Sequence, residues 1–327
     1  MENSNIYSEK EIFRNLGKIC ENKMIWNMTN LCNYRCVYCG LTDSFLSKQH
    51  KDVAKYSISH IEKSFNDSGK KWLIYLNGGE PFLYPNIVEL CKALTKNHYL
   101  GINTNLSSDK IIDFANAIDP EKVVLINAAI HIYEVEKHKN GFEKYINNFN
   151  YLQEKGFNIV LSYVTYPPLF KRLREDFALF RKKGMKNIGT KTFKGIYNNK
   201  LYPEFYTEEE KKTIKEFSYY SVVNEIADGR ISYYKKLCEA GKSFVVMDLS
   251  GNLKRCGASS KKYGNFFTGK YKLENKPKPC PLKECTCAYQ GEAFVVEGKS
   301  SYLSFLSELC QEKYFSNIRK ILSVIKS

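Results

Sequence analysis

The sequence has no long hydrophobic run. No stretch of the 327-residue chain approaches the roughly 18 uninterrupted apolar residues that a membrane-spanning helix needs. Its first residues, Met1-Glu2-Asn3-Ser4-Asn5, are polar and acidic, unlike the charged and apolar regions of a signal peptide. We therefore expect a cytoplasmic protein without a membrane partner.

The chain also lacks a dense arginine-rich patch, an internal repeat and a low-complexity tract. Its 50 Lys and Arg residues against 35 Asp and Glu residues give a formal net charge of +15, which suggests an anionic partner such as nucleic acid, a phosphorylated small molecule or an anionic carrier. The lysines are scattered through most predicted helices, however, as on ordinary solvated faces. We therefore do not expect a nucleic-acid partner.

Cysteine, by contrast, is plentiful, and its distribution is uneven. Most of the eleven cysteines cluster in two regions, whereas Cys20, Cys91 and Cys310 stand apart. Secreted chains use many cysteines for disulfides, but tight clusters in a chain without a secretion signal fit metal binding in a reducing compartment. Cys91 falls on the apolar face of a predicted helix, and we interpret it as a small core residue.

The first cysteine group follows the apolar run from Met24 to Met28 and contains Cys32, Cys36 and Cys39. Three thiolates can bind three irons of a 4Fe-4S cluster, which leaves the fourth iron open to a non-protein ligand. The alternative is zinc, but structural zinc prefers four ligands in paired groups, and His50 would have to complete such a site from farther away. The spacing therefore favours a cluster with chemistry at its open iron.

This CxxxCxxC stretch, with Tyr38 just before the third cysteine, resembles the signature of radical S-adenosylmethionine (radical SAM) enzymes. The resemblance implies that Cys32, Cys36 and Cys39 bind a catalytic 4Fe-4S cluster whose open iron chelates SAM. It also implies that Tyr38 lies near the adenine of SAM. We therefore expect SAM and a 4Fe-4S cluster as cofactors.

A second motif supports the resemblance. The second predicted strand ends in Asn77-Gly78-Gly79-Glu80-Pro81, which is similar to the GGE motif that holds the methionine end of SAM in that family. Two glycines permit a tight turn and close backbone approach, and a carboxylate can pair with an ammonium group. Alone, the motif would indicate an ordinary turn, but it follows CxxxCxxC by one strand and helix unit.

Near-continuous apolar strands alternate with amphipathic helices from Met24 to Phe217, which indicates a parallel sheet covered by helices. About six such units fit in this length, fewer than the eight of a full TIM-type barrel. The predicted fold is therefore α/β, a partial (β/α)6 barrel of the radical SAM kind. We assign residues 1–22 to an N-terminal helical extension, 23–225 to the barrel and 226–327 to a small C-terminal auxiliary-cluster domain with a closing helix.

Polar residues follow three later strands of the predicted barrel, where the family binds the rest of SAM and the substrate. Asn103-Thr104-Asn105-Leu106 is similar to the Thr-Asn-Gly of some relatives, with Leu106 in place of the glycine. Thr104 and Asn105 have an alternative interpretation as helix caps, and His131 one as a structural histidine. By the resemblance, the candidate cofactor-binding residues are Tyr38, Gly78, Gly79, Glu80, Thr104, Asn105, His131 and Ser162.

The second cysteine group contains Cys238, Cys256, Cys280, Cys285 and Cys287. The apolar runs on either side of Ser250-Gly251-Asn252 predict a β-hairpin that returns Cys256 towards Cys238. The arrangement resembles the twitch or SPASM-like auxiliary-cluster module of radical SAM enzymes, which implies a second 4Fe-4S cluster. Five cysteines exceed the four ligands needed, so the last two ligands stay open, and four thiolates suit zinc equally well.

The predicted function is reductive cleavage of SAM to a 5′-deoxyadenosyl radical, which abstracts hydrogen from a bound substrate. We rank a sugar, nucleotide-sugar or other anionic small molecule first and a peptide or protein second. The family further implies a flavodoxin-type or ferredoxin-type electron donor. A non-enzymatic iron-sulfur or zinc protein that binds nucleic acid is the alternative from another class, and it predicts tight binding with a steep salt dependence.

Overall fold

The structure is a computed structural model that describes residues 21–41, 46, 55–218, 226–229 and 232–285. The helix predicted near the start of the chain, the closing helix predicted from Tyr302 to Ile325 and Cys287 lie outside these residues. Within the described ranges, no helix has the length and apolar character required to cross a membrane.

Seven α-helices are described: α1 (Ile58–Asp67), α2 (Ile87–Thr95), α3 (Lys110–Ala117), α4 (Ile132–Glu136), α5 (Gly141–Glu154), α6 (Phe170–Lys182) and α7 (Glu208–Glu216). The first eight strands are β1 (Lys23–Thr29), β2 (Leu73–Gly78), β3 (Tyr99–Thr104), β4 (Val123–Ile130), β5 (Ile159–Val164), β6 (Ile188–Lys191), β7 (Gly195–Tyr197) and β8 (Lys200–Tyr202). The C-terminal strands are β9 (Leu237–Cys238), β10 (Phe244–Met247), β11 (Asn252–Lys254), β12 (Lys262–Asn265), β13 (Lys270–Tyr271) and β14 (Lys278–Pro279).

Ten strands form one sheet in the order β13, β12, β11, β10, β1, β2, β3, β4, β5, β6. Strands β1 to β6 are all parallel and are connected through the helices. Strand β6 lies at one edge of this ten-stranded sheet, so the sheet stays open within the described residues. The α/β fold with a partial parallel barrel, as predicted from the sequence, is confirmed.

The two faces of the parallel strands differ in chemistry. Side chains alternate along a strand, and Trp26, Leu76 and Ile102 point to the face covered by the helices, where they are fully buried. Burying such a side chain stabilises the fold by about 1.5–3 kcal/mol. Towards the carboxyl ends of the strands, the alternate positions carry polar residues such as Asn77 and Asn103 on the opposite, inner face, and these shape the candidate site.

The C-terminal segment continues the barrel sheet. Strand β10 pairs in parallel with β1, in the register Lys23 with Phe244 and Trp26 with Met247. The predicted hairpin is present as antiparallel β10 and β11, with Gly251 at its turn in a left-handed conformation (φ 87°). Strands β12 and β13 extend the same sheet, while β9 and β14 form a separate pair.

The sequence analysis missed the short hairpin of β7 and β8. Asn198 and Asn199 form its turn, and both have positive φ angles, 48° and 60°. Asparagine tolerates this conformation better than most residues, so the Asn-Asn pair between alternating apolar residues was the available signal.

Candidate active site

The backbone joins the cysteine stretch to the glycine motif at the end of β2. The Gly79 N–H donates to the Thr29 carbonyl (2.8 Å), and the Glu80 N–H donates to the Leu31 carbonyl (2.7 Å). A Cβ atom on Gly79 would lie 2.0 Å from the Leu31 carbonyl oxygen and 3.0 Å from Cβ of Cys32. The fold therefore brings the two sequence motifs together and requires glycine where they meet.

Arg35 organises the cysteine stretch from within. Its Nη1 donates to the carbonyls of Cys32 and Tyr34, both at 2.8 Å, and its Nη2 donates to the Leu46 carbonyl at 3.3 Å. Charged donors of this kind form strong hydrogen bonds, and a guanidinium can serve several carbonyls at once. Sequence reasoning overlooked Arg35, because nothing in the spacing of the cysteines distinguishes it from a surface arginine.

The three thiols are close enough to influence one another. Burial raises the pKa of Cys32 to about 11 and that of Cys36 further, and the negative charge of a Cys39 thiolate adds to both shifts. Bound iron would overcome this penalty, because a metal stabilises the thiolate form. Three mutually repelling thiolates on one stretch are the donors that three irons of a cubane require.

No three His, Cys, Asp or Glu side chains among the described residues are arranged around one point as a single metal ion requires. A cubane distributes its thiolates over separate irons, so convergence on one point is not its requirement. The donor set of Cys32, Cys36 and Cys39 therefore fits the cluster that was predicted for it.

Glu80 connects the end of β2 to the end of β3. Its carboxylate is almost fully buried and accepts from the Phe82 N–H (3.0 Å), the Thr104 hydroxyl (2.7 Å) and the Asn105 N–H (2.7 Å). Burial raises its pKa to about 7, and these hydrogen bonds limit the rise. The structure thus places Thr104 and Asn105 beside the glycine motif. The contact of Glu80 with the ammonium group of SAM stays a prediction.

The turn after β3 has a left-handed backbone conformation that is typical of glycine, although the residue there is leucine. Leu106 has a φ of 54°, and its side chain is fully buried. This conformation costs on the order of 1–3 kcal/mol in a residue with a branched side chain. The Asn105 side chain donates to Asn33 Oδ1 (3.1 Å), which ties this turn to the cysteine stretch.

Tyr38 and His131 meet across the strand ends. The Tyr38 hydroxyl lies 3.2 Å from Nδ1 of His131, and the ring of Tyr166 lies 5.1 Å from that of Tyr38. Burial lowers the pKa of His131 to about 4, with a smaller contribution from Lys191, and burial raises the pKa of Tyr38. Both groups are therefore neutral near pH 7. Ser162 is buried on β5, between Ala129 of β4 and Gly189 of β6.

The family model described as the Radical SAM superfamily matches residues 26–181, the range that contains both motifs and strands β2 to β5. These residues form a radical SAM domain. Enzymes of this superfamily use a 4Fe-4S cluster and SAM.

Curated relatives of this chain include two GTP 3′,8-cyclases. That of Pseudomonas fluorescens (strain Pf0-1) is 29% identical over 116 residues, which are 35% of this chain and 34% of the relative. That of Clostridium botulinum (strain Okra / Type B1) is 27% identical over 178 residues, or 54% and 49% of the two chains. The chain thus spans about half or less of the length of these relatives.

Solved structures show the same fold at low identity. The structure titled native anSMEcpe with bound AdoMet has a TM-score of 0.53 and 15% identity, and the match covers 93% of this chain and 98% of that one. SuiB of Streptococcus suis bound to the precursor peptide SuiA has a TM-score of 0.52 and 12% identity, with coverage of 79% and 68%.

Glu134 is a further residue of this radical SAM domain that sequence reasoning missed. It is only 4% exposed and accepts a hydrogen bond from the Arg35 backbone. Burial raises its pKa, but the hydrogen bonds from Lys137 (2.5 Å) and Arg35 bring it below the usual value. Its negative charge raises the pKa of Cys36. It lies in α4, a short helix that the sequence pattern did not predict.

Three cysteines of the second group lie near one another in the structure. Strands β9 and β14 pair Cys238 with Lys278, two residues before Cys280, and the Arg255 guanidinium donates to the carbonyls of Lys278 (2.9 Å) and Pro279 (3.3 Å). These bonds hold Cys256, which directly follows Arg255, near Cys238 and Cys280.

Burial raises the pKa of Cys238, thiolate charges on Cys280 and Cys256 add to the rise, and Arg255 lowers it. Cys285 is partly buried. The identity of the fourth ligand and the choice between a second iron-sulfur cluster and zinc stay predictions.

Proposed function

We propose that this chain cleaves SAM reductively and uses the product to abstract hydrogen from a bound substrate. The observation that carries the proposal is the direct hydrogen bonding of the cysteine stretch to the glycine motif at the end of β2. At this junction Cys32 lies beside a backbone that approaches closely because it lacks side chains, which supports a cluster site next to the glycine motif. Cluster and SAM would therefore be held next to one another.

In this proposal the chain supplies binding, orientation and exclusion of water. Cys32, Cys36 and Cys39 hold the cluster, and Gly78, Gly79 and Glu80 form the surface for the methionine end of SAM. When bound, cluster and SAM supply the chemistry: one electron breaks a carbon-sulfur bond of SAM, which yields methionine and a 5′-deoxyadenosyl radical.

The Tyr38 ring offers an aromatic face for adenine, next to the neutral imidazole of His131. A flavodoxin or ferredoxin would deliver the electron. The C-terminal cysteines would hold a second 4Fe-4S cluster.

For the substrate we favour a sugar, nucleotide-sugar or other anionic small molecule. The net charge of +15 favours an anionic ligand, and the curated relatives are named for a reaction of GTP. A peptide is the second candidate, because SuiB, which shares the fold, has been solved with a precursor peptide. A nucleotide-sugar should stimulate 5′-deoxyadenosine formation in the first case, and a peptide in the second.

Two cysteine variants test the proposed reaction. We expect Cys36→Ala to abolish 5′-deoxyadenosine formation from SAM and dithionite, measured by chromatography after anaerobic reconstitution. Cys91→Ala is the matched control, since Cys91 is buried in α2 and belongs to neither cysteine group. Normal cleavage by Cys36→Ala would overturn the proposal, and loss of cleavage in both variants would attribute the effect to folding.

A further inference from the structure

Four asparagines form a continuous row of hydrogen bonds across the parallel sheet. Asn77 Nδ2 donates to Asn27 Oδ1 (2.7 Å), Asn103 Nδ2 to Asn77 Oδ1 (3.2 Å) and Asn127 Nδ2 to Asn103 Oδ1 (2.9 Å). The register places Asn27 beside Asn77 and Asn103 beside Asn127. We call Asn27, Asn77, Asn103 and Asn127 the asparagine row.

The row lies on the inner face of the sheet. Its neighbours along each strand, such as Trp26, Leu76 and Ile102, belong to the core beneath the helices, so the asparagines point the other way. Asn77 immediately precedes Gly78, and Asn103 immediately precedes Thr104. The row therefore forms the layer directly below the residues proposed to hold SAM.

The chemistry of this layer is unusual for a barrel interior. Large branched aliphatic side chains normally fill such layers. Here each asparagine is only partly buried, so the row keeps some accessible surface. A primary amide has two N–H groups and two lone pairs, so Asn27, Asn103 and Asn127 have more donors and acceptors than their bonds along the row use.

The four side chains of the row carry no formal charge. Val160 continues the layer on β5, opposite Asn127. At the other edge Asp248 follows β10, but its carboxylate accepts from the N–H groups of Ser250 and Asn252 in its own hairpin turn. A ligand group in contact with the row therefore meets both donors and acceptors without a formal charge.

We propose that the asparagine row is the binding floor for a neutral, hydroxyl-rich part of the substrate, such as a sugar ring. Hydroxyl groups both donate and accept, as the amides do, and they need no counter-charge. This inference deepens the proposed function by specifying which part of the substrate lies below SAM. It predicts that charged parts of the substrate lie outside this layer.

Binding calorimetry on the reconstituted full chain tests the inference with two matched ligands, UDP-glucose and UDP, in the presence of SAM. The difference between them reports the neutral hexose. We expect UDP-glucose to bind about tenfold more tightly than UDP, and Asn127→Ala to remove this advantage, as the loss of one or two neutral hydrogen bonds would. Asn97→Ala is the control, because Asn97 makes the same kind of amide bond, to Asn66 (3.0 Å), outside the inner face.

The inference would be overturned if UDP-glucose bound no more tightly than UDP, or if its tighter binding survived in Asn127→Ala. Tighter, row-dependent binding of N-acetyl-dialanine amide than of UDP-glucose would overturn the hydroxyl-rich class in favour of a peptide. Asn127→Ser serves as the second variant if Asn127→Ala does not fold. Since 5′-deoxyadenosine is measured separately, a failure of SAM cleavage is distinguishable from a failure of sugar binding.

Discussion

The two cysteine groups are assembled in different ways. Cys32, Cys36 and Cys39 lie within eight residues, whereas Cys238, Cys256 and Cys280 span more than forty and meet only because strands pair. Each group nevertheless has one arginine that binds backbone carbonyls, Arg35 in the first and Arg255 in the second. The first site thus depends on a local loop that is hydrogen-bonded to the end of β2. The second depends on the pairing of the C-terminal strands.

Alanine substitutions at one glycine in each region should give the largest difference in SAM cleavage between the two regions. A Cβ atom on Gly79 would lie 2.0 Å from the Leu31 carbonyl oxygen, and one on Gly264 would lie 2.2 Å from the Lys270 carbonyl oxygen. Both clashes involve backbone, so each alanine variant should lose on the order of 3 kcal/mol in free energy of unfolding. Only Gly79→Ala should also lose 5′-deoxyadenosine formation, measured at equal soluble protein. Equal cleavage by the two variants would contradict the proposed junction.

Removal of a C-terminal cysteine ligand should lower the iron content of the chain but leave SAM cleavage in place. Reconstituted wild-type chain should contain about eight irons, one cubane for each group, and Cys256→Ala about four. Cleavage of SAM without substrate should persist in Cys256→Ala, because a fully cysteine-ligated cluster has no open iron. Iron and zinc analysis together with 5′-deoxyadenosine assays checks this. Four irons with bound zinc in the wild type would instead indicate a zinc module.

Arginine-to-lysine substitutions should have smaller, region-specific effects. Lysine carries its N–H donors on a single nitrogen and cannot reproduce the planar fork of a guanidinium, so Arg35→Lys and Arg255→Lys should each lose about 2 kcal/mol in free energy of unfolding. Arg35→Lys should lower iron at the first site and with it SAM cleavage. Arg255→Lys should lower the metal content of the second site alone. Denaturation curves and metal analysis measure both, and an identical metal loss in the two variants would contradict the separation.

The smallest effect on metal content and SAM cleavage should come from His98, which precedes β3 at the opposite end of the parallel strands from Cys32, Cys36 and Cys39. It is 3% exposed, and burial, with help from Lys71, lowers its pKa to about 4. The unfolded chain therefore binds a proton between about pH 6.5 and 4 that the folded chain rejects, so stability falls as the pH drops through this window.

The change should reach at most about 3 kcal/mol, since each pKa unit corresponds to 1.36 kcal/mol. His98→Asn keeps an acceptor for the Trp72 N–H but does not titrate, so its stability should depend less on pH. Denaturation at several pH values compares the variant with the wild type. Identical slopes of stability against pH in the variant and the wild type would contradict the lowered pKa of His98.

Much of the barrel was predictable because its signals are local. The hydrophobic periodicity located strands such as Tyr99–Thr104 and helices such as Phe170–Lys182 nearly to the residue. The connection of β10 to β1 was not predictable, because a strand of four apolar residues carries no information about its partner. The short helix α4 has too few residues to show a period.

The candidate site divides in the same way. Sequence alone determined which residues could carry the chemistry, since three cysteines at fixed spacing and two consecutive glycines are chemical requirements expressed locally. Tertiary structure alone decided that Glu80 joins two strand ends, that Tyr38 meets His131 and that four asparagines form one row. These contacts connect residues about 25 to 90 positions apart in the sequence, and they depend on strand register and on the packing of the strand ends, which no local pattern encodes.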